Sequence, residues 1–161
     1  MSADEKRGRR PTLYLTVGIP GSGKTSWIEK NLPDIKRISM DRMRRELLGD
    51  ETDQSQNERI FDLCQKELRE TLKAGQSAVF DATSHTQKSR RMPLSAARDF
   101  FAWIKIIYFD VPIEVALLRN ASRERRVPEE VIRQFYEELE DPEVYEGTEI
   151  EVVSIDQTSD G

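Results

Sequence analysis

The chain has 161 residues, enough for one domain with a sufficient core and too few for a second catalytic domain. Its single cysteine, Cys64, excludes an internal disulfide and a cysteine metal cage. No apolar run approaches a membrane span, and the charged stretch Met1 to Pro11 has no secretion-leader core, so a cytoplasmic protein with no membrane partner is expected. Against 25 Lys and Arg stand 30 Asp and Glu, a net charge of −5. Residues 129–151 hold ten of those acids against Arg133 alone. Residues 1–128 hold 24 cations against 18 acids, net +6, so a polyanionic partner could still meet a basic face.

Residues 1–10 carry Lys6, Arg7, Arg9 and Arg10 without apolar periodicity and read as a flexible basic arm. The apolar, β-branched run Leu13 to Val17 predicts a strand, and Ser26 to Leu32 predicts a helix stopped by Pro33. Between them lies Gly18-Ile19-Pro20-Gly21-Ser22-Gly23-Lys24-Thr25, a complete G-x-x-x-x-G-K-T phosphate loop. Its glycines permit the curvature that turns successive N–H groups inward, and the following helix adds positive potential, so the loop is a fitted anion cradle. Lys24 would reach the β- and γ-phosphates of ATP, and the Thr25 hydroxyl would bind Mg2+.

Ile35 to Ser39 predicts a second strand, followed at its carboxyl end by Asp41-Arg42-Met43-Arg44. In open α/β sheets that edge binds ligands. A carboxylate there can take a proton from an incoming hydroxyl while a neighbouring arginine clamps an acceptor phosphate; Asp41 can equally be the N-cap of the next helix. Gly49 to Gln56 reads as a loop. Ile60, Phe61, Cys64, Leu68 and Leu72 form one stripe of a helix over Asn57 to Lys73. Ser77 to Asp81 predicts a third strand that ends in a carboxylate, a Walker-B-like position. Ser89 to Ala102 can be helical with Leu94, Ala97 and Phe101 inward, and Pro93 suggests that regular helix starts near there.

Ile104 to Phe109 predicts the fourth strand and Pro112 to Asn120 a helix. The charged connector from Arg119 to Arg126 leads to Pro128-Glu129-Glu130, a helix start that buries Val131, Ile132, Phe135 and Leu139 downstream. Arg119 and Arg123 are four apart and share a face if the helix continues, so both can point at phosphates from a lid; a salt-bridged helix end is the ordinary alternative. Ile150 to Ile155 predicts a fifth strand. Five strands alternating with helices make a parallel sheet covered on both faces. The expected fold is an α/β three-layer P-loop NTPase sandwich of kinase type, strand order 2-3-1-4-5, with an arginine-rich lid. The domain spans residues 11–156, and 157–161 form a loose tail.

A guanine-reading N-K-x-D segment is absent, which disfavours a GTP switch. Together, Gly18 to Trp27, Asp41 to Arg44, Phe80-Asp81-Ala82-Thr83 with Arg90-Arg91, Phe109 to Pro112, Arg119 to Arg123 and Val127 to Ile132 resemble the 5′-kinase module of phage and bacterial polynucleotide kinases. That resemblance implies a phosphotransferase moving phosphate from ATP to the 5′-hydroxyl of DNA or RNA ends. The nucleotide set becomes Gly18, Gly21, Ser22, Gly23, Lys24, Thr25 and Ser26 with Arg119 and Arg123 from the lid. Lys24, Asp41 and Arg123 would be catalytic, with Asp41 the general base. Arg44 would bind the acceptor phosphate, and Asp81 would orient Arg44 and the acceptor site. Two departures stand out: the family's frequent Asp-Asp pair is Asp41-Arg42, and no accompanying phosphatase domain is expected. A small-metabolite or nucleoside kinase of the same fold, or a nucleotide-binding module without turnover, stays open, as does self-association.

Overall fold

The computed structural model describes residues 10–124, 126–144, 149–154 and 158. Five strands form one parallel sheet in the order β2-β3-β1-β4-β5: β1 (Thr12–Val17), β2 (Lys36–Ser39), β3 (Ala78–Asp81), β4 (Trp103–Phe109) and β5 (Glu149–Val153). This is the expected order. The register sets Leu15 opposite Phe80 and Ile106, and Ser39 opposite Asp81, so the carboxyl ends of β1, β2 and β3 gather at one edge. The side chains of β1 at Leu13, Leu15 and Val17 are fully buried, and Thr16 hydrogen-bonds the carbonyls of Phe80 and Ala82 at 3.2 Å each.

The helices are α1 (Lys24–Asn31), α2 (Met40–Leu48), α3 (Asn57–Lys73), α4 (Gln87–Asp99), α5 (Ile113–Ala121) and α6 (Glu129–Glu138). On one face Leu13, Leu15, Ile38, Phe80 and Ile106 pack against the stripe Ile60, Cys64, Leu68 and Leu72 of α3 and against Leu94, Ala96 and Ala97 of α4. Each fully buried aliphatic of that stripe contributes about 2 kcal/mol. On the other face Trp27 and Ile28 of α1 cover Val79, Ile107, Phe109 and Val153, with Trp27 edge-on to Phe109 at 5.7 Å. A third cluster, Ile19 with Ala116 and Ile132, ties α5 and α6 to the phosphate loop itself.

Several expectations shift. The helix α4 starts at Gln87, nearly two turns before Pro93, because Thr86 and Ser89 form a reciprocal capping box that supplies the start. Phe101 is not inward: α4 stops at Asp99, and Phe101 takes a left-handed conformation (φ 56°) with 75% of its surface exposed. Phe61 lies at the stripe's margin and is exposed. Asp41 is not the N-cap of α2; Ser39 is, accepting from the Arg42 N–H, and Asp41 sits in the first turn, where the helix dipole favours an acid. Arg10, assigned to the arm, lies over the Trp103 ring at 3.7 Å and donates to the Phe101 carbonyl. The rest of the arm, Arg125, Ile155 and the tail apart from Thr158 fall outside the described residues. Among the described residues no helix is long and apolar enough to cross a membrane.

Candidate active site

The phosphate loop connects β1 to α1 and leaves no room for a β-carbon at two places. Gly21 (φ +86°) lies so close to α5 that a β-carbon would meet the Ala116 carbonyl oxygen at 2.6 Å, and one on Gly18 would meet Ser22 Oγ at 2.7 Å. Gly23, also left-handed, is the N-cap of α1, which leaves the first-turn N–H groups of Lys24, Thr25 and Ser26 at the helix's positive end. Among the described residues, Ser22 Oγ is buried in the cradle without a hydrogen-bond partner. Such an orphan costs free energy unless a ligand satisfies it.

Lys24 Nζ folds back over the loop to donate to the carbonyls of Gly18 at 2.7 Å and Ile19 at 3.0 Å. Burial pulls its pKa down to about 8; Asp81 and Asp41 oppose that pull, and Arg123 reinforces it. These couplings bring Asp41, Asp81 and Arg123 into one electrostatic neighbourhood around Lys24. Arg119, buried in the last turn of α5, donates to the Gly21 carbonyl at 3.4 Å and to Thr158 Oγ1 at 2.8 Å. The connector that follows is pinned at its base by Asn120, whose amide donates to the Val127 carbonyl at 2.6 Å and accepts from the Val127 N–H at 2.9 Å.

At the end of β2, Arg44 is buried and donates from Nη1 to Asp41 Oδ1 at 2.9 Å and from Nε to Asn57 Oδ1 at 3.2 Å. Asp41 itself has a side chain 74% exposed. Lost hydration nonetheless raises its pKa above the ordinary carboxylate value; Arg44 pulls it down, and Glu51 and Asp81 push it up.

Asp81 does not take Arg44 as its partner. It accepts two bonds from Arg37 on one oxygen, Oδ2, from Nε at 3.0 Å and Nη2 at 2.7 Å, and Arg37 Nη2 reaches Thr25 Oγ1 at 3.4 Å. Arg37 pairs with Val79 across the β2–β3 ladder, so it and Asp81 project from the same sheet face, towards α1. Sequence reasoning gave Arg37 no role, although the alternation of β2 about the inward Ile38 holds the signal once strand order is known. Asn57 and Asn120 were overlooked likewise. The lone histidine, His85, pairs with Glu138 Oε2 at 3.1 Å and stands edge-on to Phe135. Fully buried Arg90 joins the carbonyls of Ser84, His85 and Glu140, locking the loop after β3 to the end of α6.

The cradle fits a triphosphate: the N-terminus of α1, a buried hydroxyl unpartnered among the described residues, Lys24 and Arg119. Among the described residues no three His, Cys, Asp or Glu gather into a metal cage. A magnesium ion here would therefore take its oxygens from Thr25 and the nucleotide phosphates, with Asp81 behind, the open coordination that Mg2+ prefers.

The AAA domain family AAA_33 matches residues 13–142. An L-seryl-tRNA(Sec) kinase of Methanococcus maripaludis is 25% identical over 154 residues, covering 91% of this chain and 59% of its own length. A bifunctional polynucleotide phosphatase/kinase of Schizosaccharomyces pombe is 27% identical over 154 residues, covering 92% of this chain and 35% of its own. The chain thus spans less than two thirds of either relative. Among solved structures, one from the Pnkp1/Rnl/Hen1 RNA repair complex superimposes with a TM-score of 0.73 at 23% identity, over 86% of this chain and 47% of that one. Kti12 of Chaetomium thermophilum, in complex with ADP-AlF3, gives 0.69 at 14% identity over 89% of each chain. The phosphate loop, the strand order and the match over most of the domain agree: the chain belongs to the AAA_33 family of AAA domains and has the P-loop kinase fold.

Proposed function

We propose that the chain is an ATP-dependent polynucleotide kinase that moves the γ-phosphate of ATP to the 5′-hydroxyl of a DNA or RNA end. The observation that carries this reading is the Asp41–Arg44 pair at the carboxyl end of β2, electrostatically coupled to Lys24 of the donor loop. A carboxylate poised beside a buried arginine offers a base and a phosphate clamp within one helical turn, which suits an acceptor whose reacting hydroxyl neighbours a phosphodiester. A relative whose name joins a kinase to a polynucleotide supports the same acceptor class.

In the proposed reaction the loop N–H groups, Lys24 and Arg119 hold the triphosphate, and Arg123 joins them from the connector, which acts as a lid. Thr25 and the phosphates would hold Mg2+, which when bound would supply charge neutralisation for the transfer. The 5′-oxygen attacks the γ-phosphorus, its proton passes to a carboxylate oxygen of Asp41, and the bond to the β–γ bridging oxygen breaks to release ADP. The raised pKa of Asp41 makes it a better base than an ordinary carboxylate. Phosphoryl transfer asks mainly for positioning and charge, which is what this cleft offers.

The test is transfer of labelled γ-phosphate across a panel of acceptors: 5′-hydroxyl oligodeoxynucleotides and oligoribonucleotides, their 5′-phosphorylated counterparts, nucleosides, sugars and seryl-tRNA. Label on the 5′-hydroxyl oligonucleotides alone is the expected result. Transfer only to a sugar or nucleoside would replace the reading with a metabolite kinase, transfer only to seryl-tRNA with an aminoacyl-tRNA kinase, and no product with any acceptor would leave a binding module.

A further inference from the structure

Arg37 stands where a kinase of this build needs a metal. Its guanidinium holds the β3 carboxylate through two bonds to Asp81 Oδ2 and contacts the Thr25 hydroxyl at 3.4 Å. The Asp81 side chain is 9% exposed and that of Arg37 23%, so the pair is sheltered and its charges are weakly screened. A magnesium ion on Thr25 Oγ1, at about 2.1 Å, would lie no more than roughly 5.5 Å from Nη2 if the arginine stayed in place. A dication and a guanidinium at that separation repel, even though Thr25 itself is exposed. The arginine also has somewhere to go: Glu29 of α1 lies 3.8 Å from its Nη1 and is 67% exposed, a second carboxylate on the solvent side of the same guanidinium.

We propose that Arg37 is a resident counter-cation that competes with the divalent ion for Thr25 and Asp81, so that metal–nucleotide entry requires Arg37 to release Thr25 and turn towards Glu29. Arg37 then sets the metal affinity of the site, and through Asp81 it acts as a positioning residue. The inference rests on Thr25 being the metal hydroxyl of the proposed kinase and makes no use of the acceptor.

The experiment is the affinity of Mn2+ for the full chain saturated with ADP, read from the free-ion signal in electron paramagnetic resonance. R37M should bind Mn2+ at least about tenfold more tightly than wild type, because a nearby positive charge has been removed. R42M removes an equal charge from an exposed position paired with Glu46, and it should stay within about twofold. Since R37M leaves a sheltered carboxylate alone and can lose stability, a second comparison uses the neutral pair: R37M/D81N should bind Mn2+ at least about tenfold more tightly than D81N. Equal or weaker affinity on removing Arg37 in both comparisons overturns the proposal, and so does an equal gain in R42M. Failure here leaves the acceptor assignment standing, and a failed acceptor panel leaves this competition standing.

Discussion

Arg44 and Asp41 are joined at 2.9 Å across one turn of α2, with the arginine buried and the carboxylate open to the cleft. The pair therefore has an anchored member and a working member. Removing the anchor in R44A should raise the KM for a 5′-hydroxyl oligonucleotide, and less so for an acceptor lacking the adjoining phosphate. Because Arg44 holds the Asp41 pKa down, the acid limb of the pH–rate profile should also move to higher pH in R44A. R44K should restore part of the limb's position and less of the KM, since lysine keeps the charge but not the fork that reaches both Asp41 and Asn57. Steady-state kinetics between pH 4.5 and 8 read both effects. An unmoved KM with an unmoved limb would make the pair merely structural.

Gly21 bears on the loop's shape. Its left-handed backbone and its approach to the Ala116 carbonyl both exclude a β-carbon. G21A should cost at least about 2 kcal/mol of stability or force the loop away from α5. In either case ATP affinity, measured calorimetrically, should fall at least tenfold. Wild-type affinity and melting temperature would contradict the observed contact.

Lys24 makes nucleotide binding pH-dependent. With its free-state pKa drawn down to about 8, the lysine is increasingly neutral above that pH, and a bound triphosphate restores its charge. ATP binding above pH 8 should therefore take up a proton, and the Kd should weaken about fivefold from pH 8 to pH 9. Titrations in two buffers of different ionisation enthalpy measure the uptake. A Kd flat from pH 7 to 9.5 with no proton exchanged would mean that Lys24 is charged throughout.

The connector between α5 and α6 depends on Asn120, which makes two bonds to Val127 and is buried. N120A should speed amide hydrogen exchange across residues 121–128 and lower kcat more than it weakens ATP binding, as expected if the connector closes over the donor. Unchanged exchange would show that the connector is held by other contacts.

Much of this architecture is legible in the sequence because local signals agree there. The loop between Val17 and Lys24 needs no tertiary information, and alternating strands and helices lead to the parallel sheet, whereas its order follows from the kinase type of phosphate-loop fold. What failed were features decided by neighbours. Phe101 continues the spacing of Leu94 and Ala97, but periodicity does not locate the last residue of a helix, and α4 ends two residues earlier. Ser39 caps α2 although Asp41 matches the cap preference as well, because the chain is still extended at Ser39 and already helical at Asp41. Asp81 was expected to orient Arg44. The resemblance carries the two residues but is silent on Arg37, whose partner is fixed by strand pairing across 44 positions of sequence.

The central claim, transfer to a 5′-hydroxyl with Asp41 as base, is tested most directly by D41N in single-turnover transfer from labelled ATP to a 5′-hydroxyl oligonucleotide. The amide keeps the shape of the side chain and can still accept a bond from Arg44, and Ser39 rather than Asp41 caps the helix, so neither fold nor ATP affinity should suffer. General-base assistance is typically worth about a hundred- to ten-thousandfold, so the rate should fall at least a hundredfold while the ATP Kd stays within about threefold. Transfer by D41N at the wild-type rate would contradict the account.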